Sequence, residues 1–206
     1  MAETVTTLAA KTVELVRGKF REAVLEEALH RGETTIVVMP DKIAAVAKFL
    51  RDHTALRYNF LADLTAVDWP EREPRYDVVY HLLSTKTRAV VRLKIRVGQP
   101  GEEHPAAPTV STVWPTANWY EREVYDLFGI TFTGHPDLRR ILMPDDWTSH
   151  PLRKDYPLTG VELPEPHWGG QVPLDQPLPE GIGRQTMRVT HSRPPTPPRP
   201  EPEPGE

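Results

Sequence analysis

The densest chemistry in the chain is Glu121, Arg122, Glu123 and Asp126, four charged residues inside the stretch TANWYEREVYDLFG. Arg122 and Asp126 are spaced i, i+4, and Glu123 and Asp126 i, i+3, so three of the four are expected to share one flank of a helix. Carboxylates grouped in this way could ligate a metal or act as an acid–base pair. Helical carboxylate metal sites of the di-iron type, however, place a histidine three residues after a Glu, and here those positions hold Val124 and Asp126. That favours a plainer reading, a charge network fixing this helix against its neighbours or a partner. His135-Pro136-Asp137 offers a His and a carboxylate two apart, and His150 with Asp155 offers a proton-transfer pair. Neither has repeated ligand spacing, and a His before Pro more commonly makes a hydrogen-bonding corner. Finally, Arg153, Lys154, Asp155 and Tyr156 lie between Pro151 and Pro157. Two prolines bias such a segment to extended backbone, as in a docking strand; Arg153 and Lys154 could bind an anion, and an ordinary surface turn fits the composition equally well.

Other chemistries are excluded. With no cysteine the chain has no disulfide, no thiolate zinc site, no Cys-held iron–sulfur cluster and no Cys nucleophile. GIGRQT at 181–186 lacks the third glycine of a dinucleotide fingerprint and follows no credible strand, and there is no P-loop, GxSxG or HExxH. The 25 Lys+Arg against 29 Asp+Glu give a net charge of −4, with no basic run interleaved with aromatics, so no nucleic-acid partner is expected. The start, MAETVTTLAAKTVE, lacks the basic and apolar regions of a secretion signal. Ile43 to Leu50, the most apolar helical stretch, is broken by Lys48 and falls far short of the ~18 residues of a membrane span. These features lead to the expectation of a soluble, cytoplasmic chain without transmembrane insertion.

The elements that must position these residues follow from periodicity. Leu15 to Leu29, with Gly32 just beyond, reads as an amphipathic helix, and Thr34 to Met39 as a short strand. Ile43, Val46, Ala47 and Leu50 follow i, i+3, i+4, i+7, which predicts a second helix with Asp41 as N-cap. NFLADLTAVDW, RYDVVYHLLS and RAVVRLKIRV read as three strands, the last alternating Val91, Leu93, Ile95 and Val97 against Arg92, Lys94 and Arg96. A fourth β-like run, TVSTVW, precedes the helix that carries Glu121, which is expected to start at an N-cap Thr116 and stop at Gly129. Beyond Ile130 only one turn of helix, near Asp137 to Leu142, is expected.

Proline is unevenly placed, with 13 of the 23 in residues 157–206. The expected architecture is α+β: N-terminal helices packed on a mainly antiparallel sheet within residues 1–157, then an extended Pro-rich arm and a disordered tail over 158–206. PPTPPR at 194–199 formally fits a proline-rich ligand pattern but sits in that tail.

The run from Trp114 to Ile130, then GHPDLRRIL from Gly134, then HPLRKDYP from His150, resembles the 30 kDa subunit of respiratory complex I, the NADH-quinone oxidoreductase. The strands NFLADLTAVDW and DVVYHLLS share the resemblance, which covers roughly Ala9 to Pro157. It implies a peripheral-arm subunit of a proton-translocating NADH:quinone oxidoreductase on the cytoplasmic side of the cell membrane, packed beside the large quinone-site subunit and cluster-bearing subunits. It implies no cofactor in this subunit, with iron–sulfur clusters, FMN, NADH and quinone held by partners. Glu121, Arg122, Glu123, Asp126, His135, Arg139, Arg140, Arg153, Lys154, Asp155 and Tyr156 would be motif and interface residues, with no catalytic or metal-binding residue of the chain's own. A related membrane-bound hydrogenase or formate hydrogenlyase uses a similar subunit, and a stand-alone enzyme using Glu123, Asp126 and His135 is an alternative of another class.

Overall fold

A computed structural model describes residues 2–145 and 147–158. The expected arm and tail over 158–206, the GIGRQT segment and PPTPPR therefore lie outside the described residues, except for Leu158. Helix α1 (Ala2–Lys19) is followed by a hairpin of β1 (Val24–His30) and β2 (Glu33–Val38), then α2 (Ile43–Asp52). Strands β3 (Phe60–Asp68), β4 (Tyr76–Leu83) and β5 (Val90–Val97) form a meander, and β6 (Ala106–Pro108), α3 (Ala117–Phe128) and β7 (Thr131–Thr133) complete the fold. The five-stranded sheet has the order β1-β2-β5-β4-β3, antiparallel throughout except for the parallel pair β2–β5, while β6 and β7 form a separate parallel pair.

The α+β architecture and the three central strands match their sequence patterns. On β5, Val91, Leu93, Ile95 and Val97 are buried, and Arg92 and Arg96 on the other face pair with Glu33 and Glu26. Between them Lys94 stands in register with Val37 on one side and Val79 on the other, so its aliphatic stem helps cover both valines. Helix α2 buries the expected stripe, Ile43, Val46, Ala47 and Leu50, each fully, and a completely buried Val, Leu or Ile contributes about 1.5–3 kcal/mol.

The expected helix over 15–29 is replaced by two elements. The helix begins earlier and ends at Lys19, with Val16 fully buried and Phe20 edge-on to Phe49. Residues 24–30 form β1 instead, because Gly32 closes a hairpin rather than a helix: Arg31 and Gly32 both have positive φ (51° and 83°), as a two-residue strand connection requires. Pairing with the β-branched run of β2 overrides the helix propensity of Glu26, Glu27 and Ala28. Asp41 lies in a 3-10 turn over Pro40–Lys42 and caps nothing with its side chain; Thr116 likewise makes no side-chain cap bond. TVSTVW is not a strand. Its Val110 N–H bonds the Glu121 carboxylate, and Val113 and Trp114 N–H both return to the Val110 carbonyl, so the run turns, and the neighbouring Ala106–Pro108 pairs with β7 instead. No helix among the described residues is long and apolar enough to cross a membrane.

Candidate functional site

Helix α3 presents three faces. Ala117, Glu121, Val124 and Phe128 recur at i, i+4, i+7, i+11 and all are buried, so Glu121 occupies the apolar stripe that packs on the sheet. Arg122 and Asp126 form a second buried face, toward residues 139–153, while Trp119 and Glu123 face solvent. The structure therefore keeps Arg122 and Asp126 on one face, as their spacing predicts, but places Glu123 in solvent and Glu121 on the apolar stripe. Arg122 makes no bond to Asp126; it donates to the backbone carbonyls of Arg139 (3.2 Å) and Arg140 (3.0 Å).

Asp126 is fully buried and accepts four hydrogen bonds. Three consecutive backbone N–H groups, of Ile141 (3.0 Å), Leu142 (2.7 Å) and Met143 (2.8 Å), converge on Oδ2, and Arg140 Nη1 donates to Oδ1 at 2.6 Å. Burial by itself would raise its pKa; the three N–H groups and the guanidinium reverse this and hold the carboxyl below its ordinary value. The same bonds explain why no helical turn forms at Asp137 to Leu142. The N–H groups of 141–143 face Asp126, and the carbonyls of 139 and 140 face Arg122.

The C-terminus of α3 is closed by the same segment. Of its last four carbonyls, which a helix leaves without internal partners, Tyr125 receives Gly129 N–H (2.9 Å) and Leu127 receives Leu152 N–H (3.1 Å). Asp126 receives His150 Nδ1 (2.9 Å) and Arg140 Nη1 (3.2 Å), and Phe128 receives Arg153 Nε (2.7 Å). The positive charges of Arg140 and Arg153 also oppose the negative end of the helix dipole. Gly129 is required twice over: its φ is +75°, and a Cβ there would lie 2.3 Å from Arg153 Nη2 and 2.6 Å from the His150 ring. Burial lowers the His150 pKa, assisted by Arg153, Arg140 and His104.

The segment between Pro151 and Pro157 runs through turns rather than an extended strand, and several of its groups bond within the chain. Lys154 N–H donates to Asp68 Oδ2 (2.7 Å). Arg75 grips Asp68 with two bonds (2.6 and 2.7 Å) and reaches Asp155 at 3.0 Å, holding the Asp155 carboxyl below its ordinary pKa. His150 and Asp155 thus do not form a pair. Tyr156 N–H returns to the Arg153 carbonyl (3.1 Å).

His135 accepts the Asp137 N–H on Nδ1 (3.1 Å) and lies 3.1 Å from the Asn118 carbonyl through Nε2. These two bonds assign the proton to Nε2, the neutral tautomer. Its Nε2 lies 3.9 Å from Glu121 Oε2, and neither side chain is exposed. The Asp137 side chain pairs instead with Arg139 (2.9 Å) at the surface. Glu121 accepts from the Thr109 hydroxyl and from Val110 N–H (2.7 Å); burial, only partly offset by those two donors, raises its pKa to about 7. Among the described residues no group of three or more His, Asp and Glu is placed to hold a metal ion.

Sequence reasoning missed Thr109, Asp68, Arg75 and Gly129's close approach. The stripe 117-121-124-128 was the one available signal that Glu121 points inward; Asp68 and Arg75 meet Lys154 and Asp155 across 80 or more positions, and Thr109 and Gly129 depend on loop geometry.

Residues 36–162 match the family model described as respiratory-chain NADH dehydrogenase, 30 kDa subunit. An NADH-quinone oxidoreductase subunit of Roseiflexus sp. (strain RS-1) is 49% identical over 154 residues, covering 75% of this chain and 87% of the relative. The corresponding subunit of Geotalea uraniireducens (strain Rf4) is 48% identical over 159 residues, covering 77% and 93%. Among solved structures, a chain of the membrane-bound sulfane sulfur reductase, an archaeal respiratory membrane complex, superposes with a TM-score of 0.60 at 27% identity, covering 72% of this chain and 85% of that one. Glu121, Asp126 and the segments bonded around them fall within the matched residues, and the chain belongs to the family of the 30 kDa subunit of respiratory-chain NADH dehydrogenase.

Proposed function

We propose that this chain is a scaffold subunit of the peripheral arm of a proton-translocating NADH:quinone oxidoreductase, on the cytoplasmic side of the membrane. It docks beside the large quinone-site subunit and holds cluster-bearing subunits in register, while FMN, iron–sulfur clusters, NADH and quinone belong to those partners. The observation that carries this reading is the engagement of the motif's own polar groups: Asp126, Arg122, Arg140, His150 and Arg153 all bond to the α3 terminus or the 139–143 backbone. Such a block is built to hold a surface rather than to react. Around it Trp119, Leu142 and Leu152 are exposed, with Trp119 under the Arg122 guanidinium, an apolar rim suited to a protein partner. In this reading Glu121 to Phe128, His135 to Arg140 and Leu152 to Tyr156 are scaffold and interface residues, and none is catalytic.

The test is affinity purification of the tagged full chain from a native membrane extract, followed by native mass spectrometry. The reading expects the large quinone-site subunit to be recovered with it and the chain alone to oxidise no NADH. Recovery without that subunit, or NADH oxidation by the isolated chain, would overturn it. The likeness to a chain of the sulfane sulfur reductase, an archaeal respiratory membrane complex, supports a second reading, the equivalent subunit of a respiratory membrane complex that does not use NADH. Recovery of a complex that oxidises no NADH would favour that one, and nickel in it would mark the hydrogenase alternative.

A further inference from the structure

Glu121 is the one carboxylate of α3 placed on the apolar stripe, and its surroundings differ from those of a structural anchor. Among the described residues its only basic neighbour within ion-pair reach is His135, in the neutral tautomer with its Nε2 proton directed to Asn118. From β4, Tyr80 faces it with a fully buried hydroxyl that has no hydrogen-bond partner, and Tyr80's own ionisation is suppressed by burial and by the Glu121 charge. From the segment after β6 come the Thr109 hydroxyl on Oε2 and the Val110 N–H on Oε1. On α3 itself the other charged groups, Arg122, Glu123 and Asp126, lie on different faces.

The Thr109 hydroxyl has a second neighbour. It lies 2.8 Å from the Ser111 hydroxyl and also accepts the Ser111 N–H at 3.1 Å. A hydroxyl has one proton to give. When Glu121 is ionised, Thr109 must direct that proton to the carboxylate, and Ser111 donates to Thr109. When Glu121 carries a proton, the carboxyl donates to Thr109, and Thr109 is free to donate to Ser111. The chain Glu121–Thr109–Ser111 therefore satisfies its bonds in either direction, and Ser111 is only half-buried.

We infer that Glu121 is a buried proton-binding site served by a two-hydroxyl relay, Thr109 and Ser111, whose hydrogen bonds reverse direction as the proton arrives or leaves. No bond other than O–H is made or broken: one proton passes from the solvent side of Ser111 inward as each hydroxyl hands its own proton on, and the reverse path returns it. The raised pKa of Glu121 places this exchange close to neutral pH.

Infrared difference spectra of the full chain, recorded across about pH 5 to 9, test this through the C=O band of a protonated buried carboxyl, assigned by its loss in Glu121→Gln. The expected result is a band that titrates with a midpoint near 7. Thr109→Val removes the donor to the ionised form and is expected to move that midpoint up by roughly half to one unit, whereas Thr109→Ser, which keeps the hydroxyl, leaves it in place. Ser111→Ala is expected to slow deuterium exchange at the carboxyl several-fold. Absence of any band lost in Glu121→Gln would overturn the proton site. An unmoved midpoint in folded Thr109→Val, or an unchanged exchange rate in Ser111→Ala, would overturn the relay, and the serine variant decides this even where Thr109→Val does not fold.

Discussion

Glu121 and Asp126 are two fully buried carboxylates on one helix, five residues apart, and the fold treats them in opposite ways. Asp126 meets four donors, one of them a guanidinium, and is held ionised below its ordinary pKa. Glu121 meets two neutral donors, and burial prevails, raising it to about 7. Desolvation penalises both charges, so the number and charge of the donors decide the outcome. One carboxylate ties a loop to a helix; the other sits ready to exchange a proton.

The largest effect is expected from Asp126→Ala. It removes the acceptor of three partly buried backbone N–H groups and the carboxylate partner of Arg140, and loss of roughly 3–5 kcal/mol is expected in denaturant unfolding of the full chain. Next comes the pH dependence, where the two residues carry opposite signs. Glu121 has a folded pKa raised from 4.5 to about 7, so the folded state binds more protons in that window, and stability is lost as pH rises through it. The loss is on the order of 3 kcal/mol. Glu121→Gln, which mimics the protonated acid, is expected to abolish that slope when unfolding is followed at several pH values. Asp126, with its folded pKa below 3.8, contributes stability above that value and loses it only as pH falls further, so acid unfolding below 3.8 is expected to be blunted in Asp126→Asn.

Gly129→Ala attacks the neighbourhood of Asp126 without touching either carboxylate. A positive φ and a Cβ inside the Arg153 and His150 contacts predict a loss of about 2 kcal/mol or more, with the Glu121 slope unchanged. Smallest of all is the open sheet face: Glu33→Gln removes the exposed partner of Arg92, and a change within about 0.5 kcal/mol is expected from the same unfolding measurement.

Four strands of the five-stranded sheet and α2 were legible because burial there repeats with period 2 or 3.6, as Val91, Leu93, Ile95 and Val97 or Ile43, Val46, Ala47 and Leu50 show. The β1 strand was misread because its residues have helix propensity and only the positive φ of Arg31 and Gly32, together with pairing to β2, makes them extended. Around α3 the sequence shows which residues matter without showing to what they bind. Arg122 and Asp126 match a helical ion pair in spacing, yet each takes partners more than a dozen residues away, on a loop with no period of its own. Polar knots held by backbone N–H and carbonyl groups leave no pattern in side-chain hydrophobicity. Period and spacing could not find them, whereas the resemblance to a known family marked the same residues.

The central claim is that these residues hold a surface and do no redox chemistry. Its most direct test is His135→Ala in the native complex, measured as the amount of assembled complex in membranes and as NADH:quinone turnover per assembled complex. Removing both His135 bonds loosens the corner after β7 against α3, so the amount assembled is expected to fall while turnover per complex stays within about twofold of wild type. Full assembly with turnover abolished would contradict the account and would make His135 part of a reacting site.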